Sequence, residues 1–171
     1  MSNKILVTYA TRSGSTIAVA ETIQETLKAQ GYRVDLKRVD HVFNLDRYEA
    51  VIVGSAIRTG AWLPEAVEFV KEHQVVLKSK PTALFAVCMT LQENTPENRE
   101  IVRHYVDAVC DLIKPVDVGL FAGAMDYREL SFLTEMLSRV MRVPEGDYRN
   151  WEAIQEWTKT VTPKLMPEPV R

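Results

Sequence analysis

Six consecutive residues, Thr11-Arg12-Ser13-Gly14-Ser15-Thr16, contain four hydroxyl side chains and one glycine, a composition suited to gripping an anion. Glycine lets the backbone curl so that amide N–H groups converge, and a helix starting here adds the positive end of its dipole. The run has neither G-x-G-x-x-G nor G-x-x-x-x-G-K-[ST], so dinucleotide and triphosphate loops are excluded and a terminal monophosphate fits best. A hydroxyl-rich helix cap that binds nothing is the weaker alternative. Other chemistry-bearing residues are scattered. His41, His73 and His104 stand singly and suggest no metal or catalytic cluster, and Cys88 and Cys110 lie in apolar settings that read as buried thiols.

The elements that must position the hydroxyl run are legible around it. Lys4 to Ala10 is a continuous β-rich run, as in a strand covered on both faces, and Ile17, Ala20, Ile23 and Leu27 recur at helical spacing up to a capping Gly31. Tyr32, Val34 and Leu36 alternate with charged residues, as near a sheet edge, while Ala50 to Gly54 reads as another buried strand. Pro64 opens a helix with Ala66, Val67, Phe69 and Val70 inward. Thr82 to Met89 is a fourth strand, and Thr95-Pro96-Glu97 starts a helix that places Val102, Tyr105, Val109 and Leu112 on one face before Pro115 stops it. Val116 to Ala124 is a fifth strand, and Trp151, Ile154, Trp157 and Val161 give the face of a last helix. Strands alternating with helices mean right-handed crossovers, hence an α/β fold with a parallel sheet covered on both faces. Residues 126–150 form an insertion with its own helical pattern at Leu130, Leu133, Leu137 and Val140. The proline-rich tail, 163–171, is expected to have little order.

Tyr9-Ala10-Thr11-Arg12-Ser13-Gly14-Ser15-Thr16, with Ala20 and Ile23, closely resembles the FMN phosphate signature of the flavodoxin family. Thr8 departs from the apolar residue preferred there, and an interior strand can bury it with its hydroxyl bonded. The resemblance implies a doubly wound five-stranded sheet in the order 2-1-3-4-5, FMN as cofactor, and a phosphate held by residues 11–16. It makes residues 1–162 one FMN-binding domain carrying the 126–150 insertion.

In such a sheet the loops after strands three and four close over the flavin ring. The first is Gly54-Ser55-Ala56-Ile57-Arg58-Thr59-Gly60-Ala61-Trp62, where Gly54 and Gly60 permit close backbone approach to a flat ring. Trp62 could shield that ring or staple the helix at Pro64, and the sequence does not choose. A guanidinium at Arg58 would favour negative charge on the ring and raise its potential, or orient a substrate. The second loop, Cys88-Met89-Thr90-Leu91-Gln92-Glu93-Asn94-Thr95-Pro96, lacks the acidic, glycine-rich stretch and stacking aromatic of small electron carriers.

Val53 to Gly60, Phe69 to His73, Phe121 to Ala124 and the insertion resemble a second group, the bacterial flavodoxin-type, quinone-dependent protoporphyrinogen oxidases, through about residue 162. The implied activity is oxidation of a porphyrinogen in haem synthesis, with electrons passing through FMN to a membrane quinone and no metal or protein nucleophile required. In residues 128–143 an apolar stripe is flanked by Arg128, Arg139 and Arg142, which could meet substrate propionates or rest on the inner face of the cytoplasmic membrane. Packing on the sheet edge or on a second copy of the chain is the plainer use of such a helix.

Composition narrows the field further. In 171 residues, 21 Lys and Arg stand against 23 Asp and Glu, a net charge of −2 that supplies no field for nucleic acid. The same near-neutrality argues against a strongly acidic one-electron carrier. An FMN-dependent quinone or NAD(P)H reductase remains an alternative, and the intact phosphate loop opposes a scaffold that has lost FMN. No apolar run approaches the roughly 20 residues of a spanning helix. With no signal-like start, the expectation is a cytoplasmic protein.

Overall fold

Five strands lie parallel and side by side in a computed structural model that describes residues 3–125, 132–140 and 145–168. β1 (Lys4–Ala10) pairs with β2 (Arg33–Arg38) on one side and with β3 (Ala50–Arg58) on the other. The two-residue β4 (Ala61–Trp62) folds back antiparallel onto the end of β3, and β5 (Thr82–Cys88) and β6 (Val118–Ala122) complete the sheet. The long strands therefore run β2-β1-β3-β5-β6. With β4 set aside this is the expected 2-1-3-4-5 order, reversing direction between β1 and β3. β5 is buried at every position and β1 at all but Lys4, as its uninterrupted apolar run requires.

α1 (Ser15–Ala29) and α6 (Trp151–Leu165) cover one face of the sheet, where Ile23, Phe85, Phe121 and Ile154 pack together. α2 (Pro64–Glu72), α3 (Gln74–Ser79) and α4 (Pro96–Ile113) cover the other, over a core containing Leu6, Val53, Leu84 and Val106. Three helix starts have a plain chemical reason: Pro64 and Pro96 sit at first-turn positions of α2 and α4, and the Thr95 hydroxyl and the Asn150 amide oxygen accept the N–H groups of Asn98 and Ala153. Within the insertion, α5 spans Phe132–Val140, and β7 (Ala124–Met125) pairs antiparallel with β8 (Gly146–Asp147) at its base.

Several expectations need correction. The fifth strand is shorter than 116–124, because the chain breaks at Gly123 before β7. On α4 the fully buried stripe is Val102, Val106, Val109 and Ile113, so Tyr105 and Leu112 stand at its margins, half-buried. Trp151 is exposed, its ring under the Arg149 guanidinium, and the buried face of α6 runs instead through Ile154, Thr158, Val161 and Leu165. The helix also continues past the expected start of the disordered tail: Pro163 lies inside it and Leu165 is buried. The missing N–H of Pro163 forfeits one backbone bond near a helix end, a loss offset by burying Leu165.

Thr8 is wholly buried, yet its hydroxyl has no partner, contrary to the expectation that it would be bonded. An unsatisfied buried hydroxyl costs about 1–3 kcal/mol. Thr8→Val, which keeps the shape and removes the orphan, is expected to raise stability by about 1 kcal/mol in urea unfolding.

Candidate functional site

Three loops leave the carboxyl ends of β1, β3 and β5 on the same edge of the sheet, where the strand order reverses, and a cleft of about 330 Å³ opens between them. Ser13 and Ser15 line it from the first loop, Ala56 to Gly60 from the second and Cys88 to Thr90 from the third. Sequence reading missed further walls, Val87, Gly123 to Met125 and Tyr105 from α4, while Leu137 of α5 joins them from the insertion's apolar stripe.

The first loop is built to turn tightly. Gly14 adopts φ +85 as the residue before α1, a conformation that favours glycine, and its N–H donates to the Thr11 hydroxyl at 3.1 Å. Ile17 N–H in turn donates to the Gly14 carbonyl at 3.1 Å. Thr16, at the start of the helix, is fully buried with its hydroxyl unpartnered. Arg12 points elsewhere: its guanidinium donates through both terminal nitrogens to the Glu65 carboxylate on the first turn of α2. Burial acts to raise the Glu65 pKa, but the bond from Arg12 overrides it and holds the carboxyl below its usual range. Thr11, Arg12 and Gly14 therefore shape the loop from outside the cleft lining, Ser13 and Ser15 face in, and the buried Thr16 hydroxyl is left without a protein partner.

The second loop is a hairpin. Arg58 pairs with Ala61 across a two-residue turn whose central residues, Thr59 and Gly60, have φ +48 and +75, the pattern of a type I′ turn. Gly60 is small for a second reason: a β-carbon there would stand 3.3 Å from the Tyr105 ring. Arg58 is half-buried and has no carboxylate partner among the described residues. Two expected ring-facing residues turn away. The Ser55 hydroxyl is buried, accepting from Leu63 N–H at 3.0 Å, so it ties the hairpin to α2 and does not line the cleft. Gly54 leaves room for the Phe85 ring of the neighbouring strand rather than for a ligand, since a β-carbon on it would lie 1.9 Å from that ring. Trp62 is buried in the core with Leu63, Ala66 and Phe69, which settles it as a packing residue.

In the third loop Cys88 is buried at the cleft wall, and Met89 and Thr90 are half-buried beside it. Arg139 lies exposed on α5 and outside the cleft lining. Arg128 and Arg142 lie outside the described residues. No Asp or Glu is among the described lining residues, where Arg58 is the one ionised group amid mostly apolar walls.

The sequence matches the family described as "Flavodoxin domain" over residues 6–150. The chain belongs to the flavodoxin family. Its relatives include the protoporphyrinogen IX dehydrogenase [quinone] of Leishmania major, 30% identical over 91% of this chain and 73% of the relative. The enzyme of the same name from Escherichia coli strain K12 is 24% identical over 92% of this chain and 94% of its own. Among solved structures, oxidised flavodoxin 2 from Bacillus cereus superposes with a TM-score of 0.57 at 20% identity, covering 94% of this chain and 99% of its own. Two-electron reduced Megasphaera elsdenii flavodoxin gives 0.57 at 17%, covering 91% and 98%. FMN is the cofactor of the flavodoxin family, and the residues present fit it. The first loop offers a phosphate the inward hydroxyls of Ser13 and Ser15 beside the unpartnered Thr16 hydroxyl at a helix N-terminus, and the apolar cleft beyond suits a flat ring.

Proposed function

We propose that this chain is an oxidoreductase that uses FMN to take electrons from a porphyrinogen and deliver them to a quinone, the reaction named for its relatives. The observation that carries the reading is the cleft itself: mostly apolar, with no acidic residue among its described lining, and bordered by a helix whose Leu133, Met136, Leu137 and Val140 are exposed. A porphyrinogen and a lipid-soluble quinone both need an apolar approach of that kind, and Leu137 joins the exposed helix face to the cleft. In this reading residues 1–162 form the FMN-binding domain, and the insertion, 126–150, distinguishes a substrate-selecting enzyme from an electron carrier.

FMN, when bound, supplies the electron-pair chemistry. The chain supplies position and field. The Ser13 and Ser15 hydroxyls, with the backbone of the 11–16 loop, grip the phosphate, and residues 56–60 and 88–90 border the ring. The apolar walls exclude water, which strengthens the field of Arg58 at the ring. Arg58→Ala is accordingly expected to lower the two-electron potential of the bound flavin by about 30 mV, equivalent to about 1.4 kcal/mol, in an equilibrium dye titration. An unchanged potential would remove Arg58 from this role.

The reading as a whole is tested anaerobically by mixing the FMN-loaded protein with protoporphyrinogen and a menaquinone analogue and following porphyrin fluorescence. Quinone-dependent appearance of porphyrin is expected. Turnover with NADPH and quinone but not with porphyrinogen would make the chain a quinone reductase instead.

A further inference from the structure

Besides the hydroxyls of Ser13, Ser15 and Thr90, two polar side chains line the cleft without a partner among the described residues. The Tyr105 hydroxyl makes no hydrogen bond, and the Arg58 guanidinium no ion pair, among the described residues, though both are half-buried in the cleft wall. They are linked through the hairpin turn: Arg58 begins it, and Gly60, two residues on, packs against the Tyr105 ring edge. Tyr105 is the only aromatic among the described lining residues, because Trp62 is in the core and the loop after β5 contains none. Ile57, Met89, Met125 and Leu137 line the same cleft, and no carboxylate among the described residues neutralises Arg58.

A permanently charged planar donor beside a phenolic donor, both set in apolar walls, calls for an oxygen anion on a flat apolar body. The phosphate is not that anion, since the hydroxyl loop before α1 is built for it. We infer that Tyr105 and Arg58 together bind a carboxylate of the reactant, so that Tyr105 is a specificity-determining residue and the site selects flat apolar carboxylates over their neutral counterparts. The inference rests on the proposed oxidoreductase reading and refines it. A porphyrinogen, an apolar macrocycle that becomes flat on oxidation, carries carboxylates on its rim, and holding one at the hairpin turn would fix the macrocycle against the cleft. The aromatic face of Tyr105 adds a surface for the flat body, and its hydroxyl adds the directional bond.

The test uses the full-length, FMN-loaded protein and two probe pairs: protoporphyrin with its dimethyl ester, and anthraquinone-2-carboxylate with anthraquinone-2-carboxamide. Binding is read by fluorescence quenching, with thermal melting as the fold control for each variant. The wild type is expected to prefer each acid over its neutral partner by about tenfold or more. Tyr105→Phe, which retains the ring and packing, should lose most of that preference by weakening the acids alone. Arg58→Gln should do likewise, and the double variant should lose less than the product of the two single effects. Equal binding of acid and neutral probes by the wild type would overturn the inference, as would an undiminished preference in Tyr105→Phe. If the anthraquinone pair behaves as expected while neither porphyrin binds, carboxylate recognition stands and the porphyrinogen reading falls.

Discussion

Gly54→Ala is expected to destabilise the protein by about 3 kcal/mol and lower its melting temperature by about 6–12 °C. Gly54 lies opposite Phe85 in the β3–β5 register, and an added β-carbon would sit 1.9–2.3 Å from three atoms of the Phe85 ring. The ring has nowhere to go: Phe85 is fully buried in the centre of the sheet, tilted against Phe121 at 6.4 Å between ring centres. Either the ring leaves its rotamer or the strands part, and both routes disturb a close-packed interior. A compensating change separates this steric account from one in which Gly54 serves a ligand. Phe85→Leu removes the atoms that clash, so Gly54→Ala in that background should cost less than in the wild type. A full loss in both backgrounds would show that the ring is not the cause.

The second large effect has opposite signs in the two forms of the protein. Thr16 is buried with an unpartnered hydroxyl, a burden the fold carries unless a ligand accepts or donates there. Thr16→Val should leave the apoprotein as stable or about 1 kcal/mol more stable, while weakening FMN binding about 10- to 100-fold through loss of a hydrogen bond to the phosphate. Urea unfolding of the apoprotein and a fluorescence titration with FMN read the two effects independently. A variant that binds FMN as tightly as the wild type would place Thr16 outside the grip. Comparison with Thr8→Val is instructive, since that orphan lies in mid-strand and its removal should not change FMN affinity.

Sequence made the sheet legible because buried parallel strands leave unmistakable apolar runs, at Ile5–Ala10 and Thr82–Cys88 above all. The hydroxyl loop was equally visible, since its residues are consecutive. Reading failed where meaning depends on a neighbour far along the chain. Nothing near Gly54 announces that Phe85 needs its space, and nothing near Ser55 announces the Leu63 amide it serves. Tyr105 was assigned to a buried helix face because it falls at the right spacing, yet it stands at the margin of that face and turns its ring to the cleft. Its hydroxyl was the available signal: a tyrosine at the border of an apolar stripe needs somewhere to put its polar end.

The bridge between Arg12 and Glu65 joins the loop after β1 to the first turn of α2, the helix that follows the β3–β4 hairpin, from outside the cleft lining. Its value is kinetic as well as geometric. A loop already fastened on its far side, with Gly14 N–H held by Thr11, surrenders little freedom when an anion arrives. The cleft is therefore preorganised, and cofactor capture should approach a simple docking event rather than a folding step coupled to binding. Solvent exposure of the bridge makes that readiness tunable by ionic strength, with high salt loosening the loop before it disturbs the sheet.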